Sequence, residues 1–273
     1  MKLRKRHLPV HVLAALLPVA ALIVAFAAPA RAQATADLKP LIDDLVAANH
    51  ILYRQGVVDG FGHISARHPT QPDRFLMSMA KAPGRVTAED IMEFDLDGKP
   101  IDVRGRPTYQ ERFIHSEVYK ARRDVNAVIH SHSPTVIPFS VTQVPLRPVH
   151  NTASFLAAGV PVFEMRNVAG MTNNLVSDSV RGKALVETLG DRPVVLLRGH
   201  GNVVVGPNVQ RTVSRAIYTE VNARMLIQAV TLGGPITFID PEEAKQLEAG
   251  RGMQETGHGV DRTWQMWLDD AAR

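Results

Sequence analysis

The segment Asp124-Val-Asn-Ala-Val-Ile-His-Ser-His132 joins an apolar run to a pair of histidines. The run is rich in β-branched and apolar residues and predicts a strand over 125–131. Side chains two positions apart on a strand point to the same face, so His130 and His132 would project together, at a separation suited to chelating one metal ion. The pair alone is weak support for a site, because two histidines at a strand end are commonly solvated.

A second apolar run, Val194-Val-Leu-Leu-Arg-Gly-His-Gly-Asn202, predicts a strand over 194–197 in the middle of a sheet. Gly199 and Gly201 would let the backbone turn sharply and present His200 beyond the sheet edge. A catalytic zinc site needs three neutral ligands and an open coordination position, and His200 would complete that set. A loop histidine between turn glycines is the alternative interpretation.

The helix predicted over Gln110–Arg122 carries Glu111 near its start and His115 one turn later on the same face. Glu111 is a candidate acid/base or fourth metal ligand. The alternative is a solvated glutamate that the helix dipole favours in the first turn.

The remaining pattern alternates helices and strands and predicts a mixed α/β layer architecture without the glycine-rich fingerprint of a dinucleotide fold. The first helix should begin near Leu38 and end before Gly56, and Thr87 resembles a helix start. The other predicted elements are strands at His63–Arg67, Arg74–Ser78 and Glu93–Leu96, and a long amphipathic helix at Asn208–Leu232.

The chain has 273 residues, no cysteine and a formal net charge of +4. Its excess positive charge lies at the front, where basic residues precede an apolar run and the small-x-small pattern Ala30-Arg31-Ala32. This arrangement predicts a secretory signal peptide over 1–32, with an uncleaved membrane anchor as the alternative. A single domain would then cover 33–273, with its core at about 38–234, and we expect an exported, periplasmic protein.

Cleavage would leave 26 basic and 27 acidic residues, because the five basic residues of the leader are lost with it. A net charge near −1 gives no electrostatic basis for binding nucleic acid. We also expect no stable membrane anchor after processing. The absence of cysteine excludes thiolate catalysis and cysteine-based metal sites.

Glu111, the pair His130 and His132, and His200 between two glycines together resemble the class II aldolase/adducin family over about 38–234. The resemblance implies a single-domain α/β/α sandwich around a central, largely antiparallel sheet. It also implies one divalent metal ion per subunit, held by the three histidines and often by the glutamate, and a homotetramer with active sites at subunit interfaces. Zinc is the expected metal, although imidazole ligands also suit manganese, iron, cobalt or nickel.

The sequence departs from the sugar-phosphate aldolases of this family where they hold phosphate. The positions read Gly62-His63-Ile64-Ser65, Met79-Ala-Lys-Ala-Pro-Gly84 and Thr108-Tyr-Gln-Glu111, so several hydroxyl donors are replaced. The motifs are more similar to the branch that contains hydroxy-carboxy-muconic semialdehyde and dihydroxyphthalate decarboxylases. A phosphorylated substrate is therefore not expected.

These features predict a metal-dependent lyase that decarboxylates a small oxygenated carboxylic acid through a metal-stabilised enolate. Glu111 or His115 would supply the proton that quenches the enolate. A guanidinium pairs well with a carboxylate, although each candidate arginine could also be structural. The predicted substrate-binding residues are His63, Ser65, Arg67, Arg112, His150 and Arg198. The alternatives are an aldolase or epimerase acting on an unphosphorylated sugar acid, and a non-catalytic, adducin-like binding protein.

Overall fold

The computed structural model describes residues 37–255 and 259–271. The predicted signal peptide over 1–32 lies outside the described residues. None of the described helices combines the length and the apolar character that crossing a membrane requires.

A seven-stranded sheet forms the centre of the fold, with the strand order β3-β2-β1-β4-β7-β6-β5. Every neighbouring pair is antiparallel except β5 and β6. The strands are β1 (His63–Arg67), β2 (Arg74–Ser78), β3 (Ile91–Asp95), β4 (Ala127–Ser131), β5 (Val162–Phe163), β6 (Val194–Leu197) and β7 (Gly201–Gly206).

Helices cover both faces of this sheet. The helices are α1 (Lys39–Arg54), α2 (Arg112–Ala121), α3 (Arg166–Ala169), α4 (Ser179–Leu189), α5 (Val209–Leu232), α6 (Pro241–Glu255) and α7 (Gly259–Ala271). α1, α5 and α7 pack together on one face, whereas α2 and α4 pack on the other. The sheet and its two helical layers confirm the predicted α/β/α fold class.

Side chains that alternate along each strand pack into two separate hydrophobic cores, one on each face of the sheet. On β4, Ala127 and Ile129 pack into the core beneath α1 and α5, whereas Val128 packs into the core beneath α2 and α4. The register places His63 opposite His130 and Ser65 opposite Val128. Because side chains alternate along a strand, the two histidines and Ser65 share the face that α2 covers.

The predicted bounds of β1, β2 and β6 match the structure, whereas the strands predicted at 93–96 and 125–131 lie at Ile91–Asp95 and Ala127–Ser131. Thr87 begins only a short 3₁₀ turn, Ala88–Asp90, whose capping box with Asp90 is complete before the chain enters β3. Strand β7 was not predicted, because its glycine ends weaken the strand signal. His200 therefore lies in the tight turn of a β6–β7 hairpin.

Glycine is required at each of the two positions beside His200, for a different physical reason. Gly199 adopts a φ of +61°, a left-handed conformation that favours glycine. A Cβ on Gly201 would lie 2.1 Å from the carbonyl oxygen of Ser131 on β4. Gly201 is thus needed for the close approach of β7 to β4.

We expect Gly201→Ala to lower the free energy of unfolding by about 2–3 kcal/mol, because the new methyl group would force two paired backbones apart. Gly60→Ala is the matched control, since a Cβ at that position meets nothing within 4 Å. Denaturant unfolding of both variants checks the prediction. Equal stability of the two variants would contradict it.

Candidate active site

Four side chains from three parts of the fold meet at one end of the sheet. His130 lies in β4, His132 directly follows that strand, and His200 lies in the β6–β7 turn. Glu111 immediately precedes α2, which packs against β4. One potential ligand atom from each of the four lies within 4.8 Å of all the others.

His130 is held in one tautomer by the neighbouring strand. Its Nδ1 lies 3.2 Å from the carbonyl oxygen of Asn202, to which it can only donate a hydrogen bond. The proton of a neutral imidazole then resides on Nδ1, so Nε2 presents a lone pair. Nε2 is buried, has no hydrogen-bond partner among the described residues, and lies 3.3 Å from Oε2 of Glu111.

His132 and His200 face each other across the site, with their Nε2 atoms 3.1 Å apart. Nδ1 of His132 lies 3.6 Å from Oδ1 of Asp59, an acidic group behind the ligand that the sequence did not reveal. Burial, together with the neighbouring His130 and His200, lowers the pKa of His132 to about 4. His132 is therefore neutral and able to coordinate a metal at neutral pH.

Glu111 brings a carboxylate into the same space. The backbone N–H of Val176 donates to its Oε1 at 2.9 Å, while Oε2 lies 3.5 Å from Nε2 of His200. Burial disfavours ionisation of this carboxyl group, but the adjacent His130 and His200 outweigh burial and hold its pKa well below the ordinary value. Glu111 is thus a carboxylate at neutral pH and holds no proton to give.

The donor set and its spacing fit a single divalent ion. Tetrahedral zinc with bonds of about 2.0–2.1 Å to imidazole places neighbouring ligand atoms about 3.3 Å apart. Three of the six separations among the four ligand atoms are 3.1 Å, 3.3 Å and 3.5 Å, and all six lie within 4.8 Å. An imidazole nitrogen that is buried without a hydrogen-bond partner is otherwise costly, and a bound cation would satisfy it. The cluster can therefore hold one metal ion.

A buried carboxylate anchors the loop that carries His132. The hydroxyls of Ser133 and Thr135 both donate to Glu220, which lies on α5 and is 3% exposed. Ser131 donates to the side chain of Asn202 at 2.6 Å. Sequence reasoning missed Glu220 and Asn202, since nothing in their local sequence indicates which loop they contact.

The structure places His115 behind the site rather than in it. His115 is 0% exposed, and its two ring nitrogens face His63 and Ser65. Burial is the main cause that lowers its pKa to about 3. Both ring nitrogens of His115 are thus engaged inside the protein, and its role as a proton donor to the substrate stays a prediction.

Two predicted carboxylate-binding arginines are also placed elsewhere. The guanidinium of Arg67 donates to four backbone carbonyls, those of Pro72, Tyr119, Arg122 and Val125. Arg112 donates to the carbonyls of Gly98 and Tyr109 and lies over the ring of Phe113. Arg67 thus makes four hydrogen bonds to the backbone and Arg112 makes two, so both groups tie neighbouring segments together, and their role in binding a carboxylate stays a prediction.

Arg198 and His150 differ from those two arginines. Arg198 pairs with Glu164 at 2.5 Å and borders a cavity of about 190 Å³ together with Arg166 and Asn174. It therefore remains a candidate anchor for an anion. His150 stacks on Tyr218 of α5, with ring centroids 6.2 Å apart, and is not one of the four clustered side chains.

Comparison with known proteins gives concordant results. The family model "Class II Aldolase and Adducin N-terminal domain" matches residues 43–227. The decarboxylase tropJ of Talaromyces stipitatus is 36% identical over 243 residues, covering 80% of this chain and 89% of the relative. A 3,4-dihydroxyphthalate decarboxylase of Rhodococcus jostii is 32% identical over 207 residues, covering 71% and 82%.

Solved structures show the same fold. An aldolase II superfamily protein from Pseudomonas syringae has a TM-score of 0.71 at 24% identity, covering 85% of this chain and 92% of that one. L-Fuculose 1-phosphate aldolase from Glaciozyma antarctica has a TM-score of 0.68 at 23% identity, covering 89% and 93%. The family match over most of the chain and the two decarboxylase relatives confirm the resemblance seen in the histidine motifs: this chain belongs to the class II aldolase and adducin family.

Proposed function

We propose that this protein is a metal-dependent lyase that removes CO₂ from a small, oxygenated carboxylic acid. The observation that carries the proposal is the buried cluster of three imidazoles and one carboxylate, in which His130 presents an unpartnered Nε2. The named decarboxylases among the relatives support decarboxylation as the reaction.

In this proposal His130, His132 and His200 hold the metal, and zinc is the preferred ion. A divalent ion bound there supplies Lewis-acid chemistry, which stabilises negative charge that develops on an oxygen beside the breaking carbon–carbon bond. Glu111 serves as the fourth ligand or as a base, since its low pKa leaves it ionised. The proton that replaces the departing carboxyl group then has to come from another donor.

The substrate class follows from what surrounds the cluster. His63 stands where the sugar-phosphate aldolases of the family carry part of a phosphate cradle, and its ring lies against Tyr109, with centroids 4.4 Å apart. Arg198, two residues before His200, is our candidate to hold a carboxylate, and it borders a cavity that none of the four clustered side chains lines. A carboxylated, hydroxylated aromatic acid combines these requirements, and relatives are named for such a substrate, 3,4-dihydroxyphthalate.

Two other activities fit parts of the observations. A 5-deoxy-D-ribulose 1-phosphate aldolase of Bacillus thuringiensis is 29% identical over 169 residues, so retro-aldol cleavage of an unphosphorylated sugar acid is the runner-up. Alpha-adducin of Rattus norvegicus is 26% identical over 76% of this chain, which covers 28% of the adducin. A binding role like that of adducin does not call for the three clustered imidazoles.

The first test is the metal. We expect about one equivalent of divalent ion per chain. We also expect His132→Ala to weaken metal binding more than about 100-fold, because mutating residues that only orient the ligands already lowers metal affinity about 10- to 100-fold. Elemental analysis after dialysis against a chelator series measures both. His50→Ala is the control, since His50 bonds the carbonyl of Val86 and is not among the clustered side chains. A wild-type protein without stoichiometric metal would overturn the enzyme proposal.

The second test is the reaction. Zinc-loaded protein is incubated with 3,4-dihydroxyphthalate, hydroxy-carboxy-muconic semialdehydes and keto-sugar acids, and CO₂ and aldehyde are followed separately. We expect CO₂ without release of a new aldehyde fragment, and we expect CO₂ release to fall at least about 1,000-fold in His132→Ala, because the charge-stabilising ion is lost. Aldehyde without CO₂ would replace decarboxylation by the aldolase reaction.

We further propose that the protein is exported to the periplasm after cleavage behind Ala32 and that it assembles as a homotetramer. Cell fractionation followed by amino-terminal sequencing should find the chain in the periplasmic fraction with Gln33 first. An intact amino terminus in the cytoplasmic fraction would contradict export. Light scattering of the purified protein tests the tetramer.

A further inference from the structure

Helix α2 and strand β1 meet along a row of polar side chains that the metal cluster does not use. His115 and Tyr119 are four residues apart on α2 and therefore lie on one face of that helix. His63 and Ser65 are two residues apart on β1 and point to the same side of the sheet. All four side chains are buried, which requires their polar atoms to find partners inside the protein.

These four residues form one continuous hydrogen-bonded chain. Nδ1 of His63 lies 2.7 Å from Nε2 of His115, and Nδ1 of His115 lies 2.6 Å from Oγ of Ser65. Oγ of Ser65 lies 2.7 Å from the hydroxyl of Tyr119. The nitrogens of two imidazoles that face each other share one proton between them, so the direction of donation along these contacts decides which nitrogen of each ring carries its proton.

Only one direction of hydrogen-bond donation gives an acceptor to each hydrogen that lies between these four residues. Among the described residues, the oxygen of Tyr119 faces only Ser65 and the backbone N–H of Val128, which cannot accept a hydrogen bond. The hydrogen of Tyr119 must go to Ser65, so Ser65 donates to Nδ1 of His115. His115 then carries its proton on Nε2 and donates to Nδ1 of His63. The reverse direction would leave a buried hydroxyl hydrogen without an acceptor, which native interiors avoid.

His63 consequently carries its own proton on Nε2. Nε2 of His63 has no hydrogen-bond partner among the described residues. It is not one of the fully buried polar atoms that lack a partner, so it is accessible to a ligand. The ring of His63 lies beside the ring of His130, with centroids 5.2 Å apart, and it also contacts the ring of Tyr109. The open end of the chain is thus next to the candidate metal site.

We propose that Tyr119, Ser65 and His115 are positioning residues that fix His63 as a neutral Nε2–H donor for a carboxylate oxygen of the substrate. This inference rests on the proposed function for the identity of its ligand. A donor whose tautomer is fixed beforehand loses no free energy to tautomer exchange when the anion binds. This hydrogen-bonded network thereby provides a carboxylate donor other than Arg67 and Arg112, whose guanidinium groups donate to backbone carbonyls.

The direct test is nitrogen NMR of histidine-labelled, zinc-loaded protein, which reports which ring nitrogen carries the proton. The signals of His63 are assigned by their loss in His63→Gln. We expect the Nε2–H tautomer for both His63 and His115. A proton on Nδ1 of His63, or averaging over both tautomers, would overturn the proposal. The measurement needs no turnover, so it can fail while the lyase activity stands, and it can succeed if the activity fails.

Kinetics then separates a positioning role from a purely structural one. We expect Ser65→Ala to mix the tautomers of His63 and to lower kcat/KM by about 10- to 100-fold with metal content unchanged, because the bond to an anion is weakened. Ser65→Thr, which keeps the hydroxyl, should restore both. Ser154→Ala is the matched control, since this buried serine bonds only Glu248 among the described residues.

His63 itself allows one more comparison. His63→Gln can place an amide N–H near the former Nε2, whereas His63→Asn reaches only to the former Nδ1. We expect His63→Asn to lose at least about tenfold more kcat/KM than His63→Gln. Equal losses in the two variants, or a Ser65→Ala protein as active as the Ser154→Ala control, would overturn the proposal.

Discussion

The antiparallel pairing of β4 with β7 is the constraint on which the site depends. It brings the end of β4, with His130 and His132, beside the turn that carries His200. The approach is so close that only glycine fits at position 201, opposite the carbonyl of Ser131. The same pairing presents the carbonyl of Asn202 to His130 and so decides which of its nitrogens is free. Backbone geometry thus determines the chemistry of a ligand.

Helix α2 adds the second half of the site, because it lies across the strands that bear the histidines. Residues at four-residue intervals meet the sheet in order: Glu111, just before the helix, reaches the cluster, His115 lies behind His63, and Tyr119 ends the buried hydrogen-bonded chain. Below them, Arg67 lies over the ring of Tyr119 and donates to surrounding carbonyls. Along the interface of α2 with the sheet, the polar side chains nearest the cluster are candidates for chemistry, and those farthest from it stabilise the fold.

The differences from the predicted site share one cause. His115, Arg67 and Arg112 were chosen because their side chains can donate protons or bind carboxylates, which is true of the residue types. In the fold, these side chains are already paired with neighbours that lie far away in sequence, such as Val125 for Arg67. Asp59 and Glu220 were missed for the converse reason, since their partners His132, Ser133 and Thr135 come from other segments.

The sequence by itself determined the fold class, the family and the four residues that converge at the end of the sheet. It could do so because strand periodicity, turn glycines and histidine spacing are local signals. Only the tertiary structure decided which polar groups remain available to a ligand, because hydrogen-bond partners are set by packing between distant segments. His63 and His115 illustrate the difference: both are histidines near the site, but the buried bonds to Ser65 and Tyr119 leave one of them open and enclose the other.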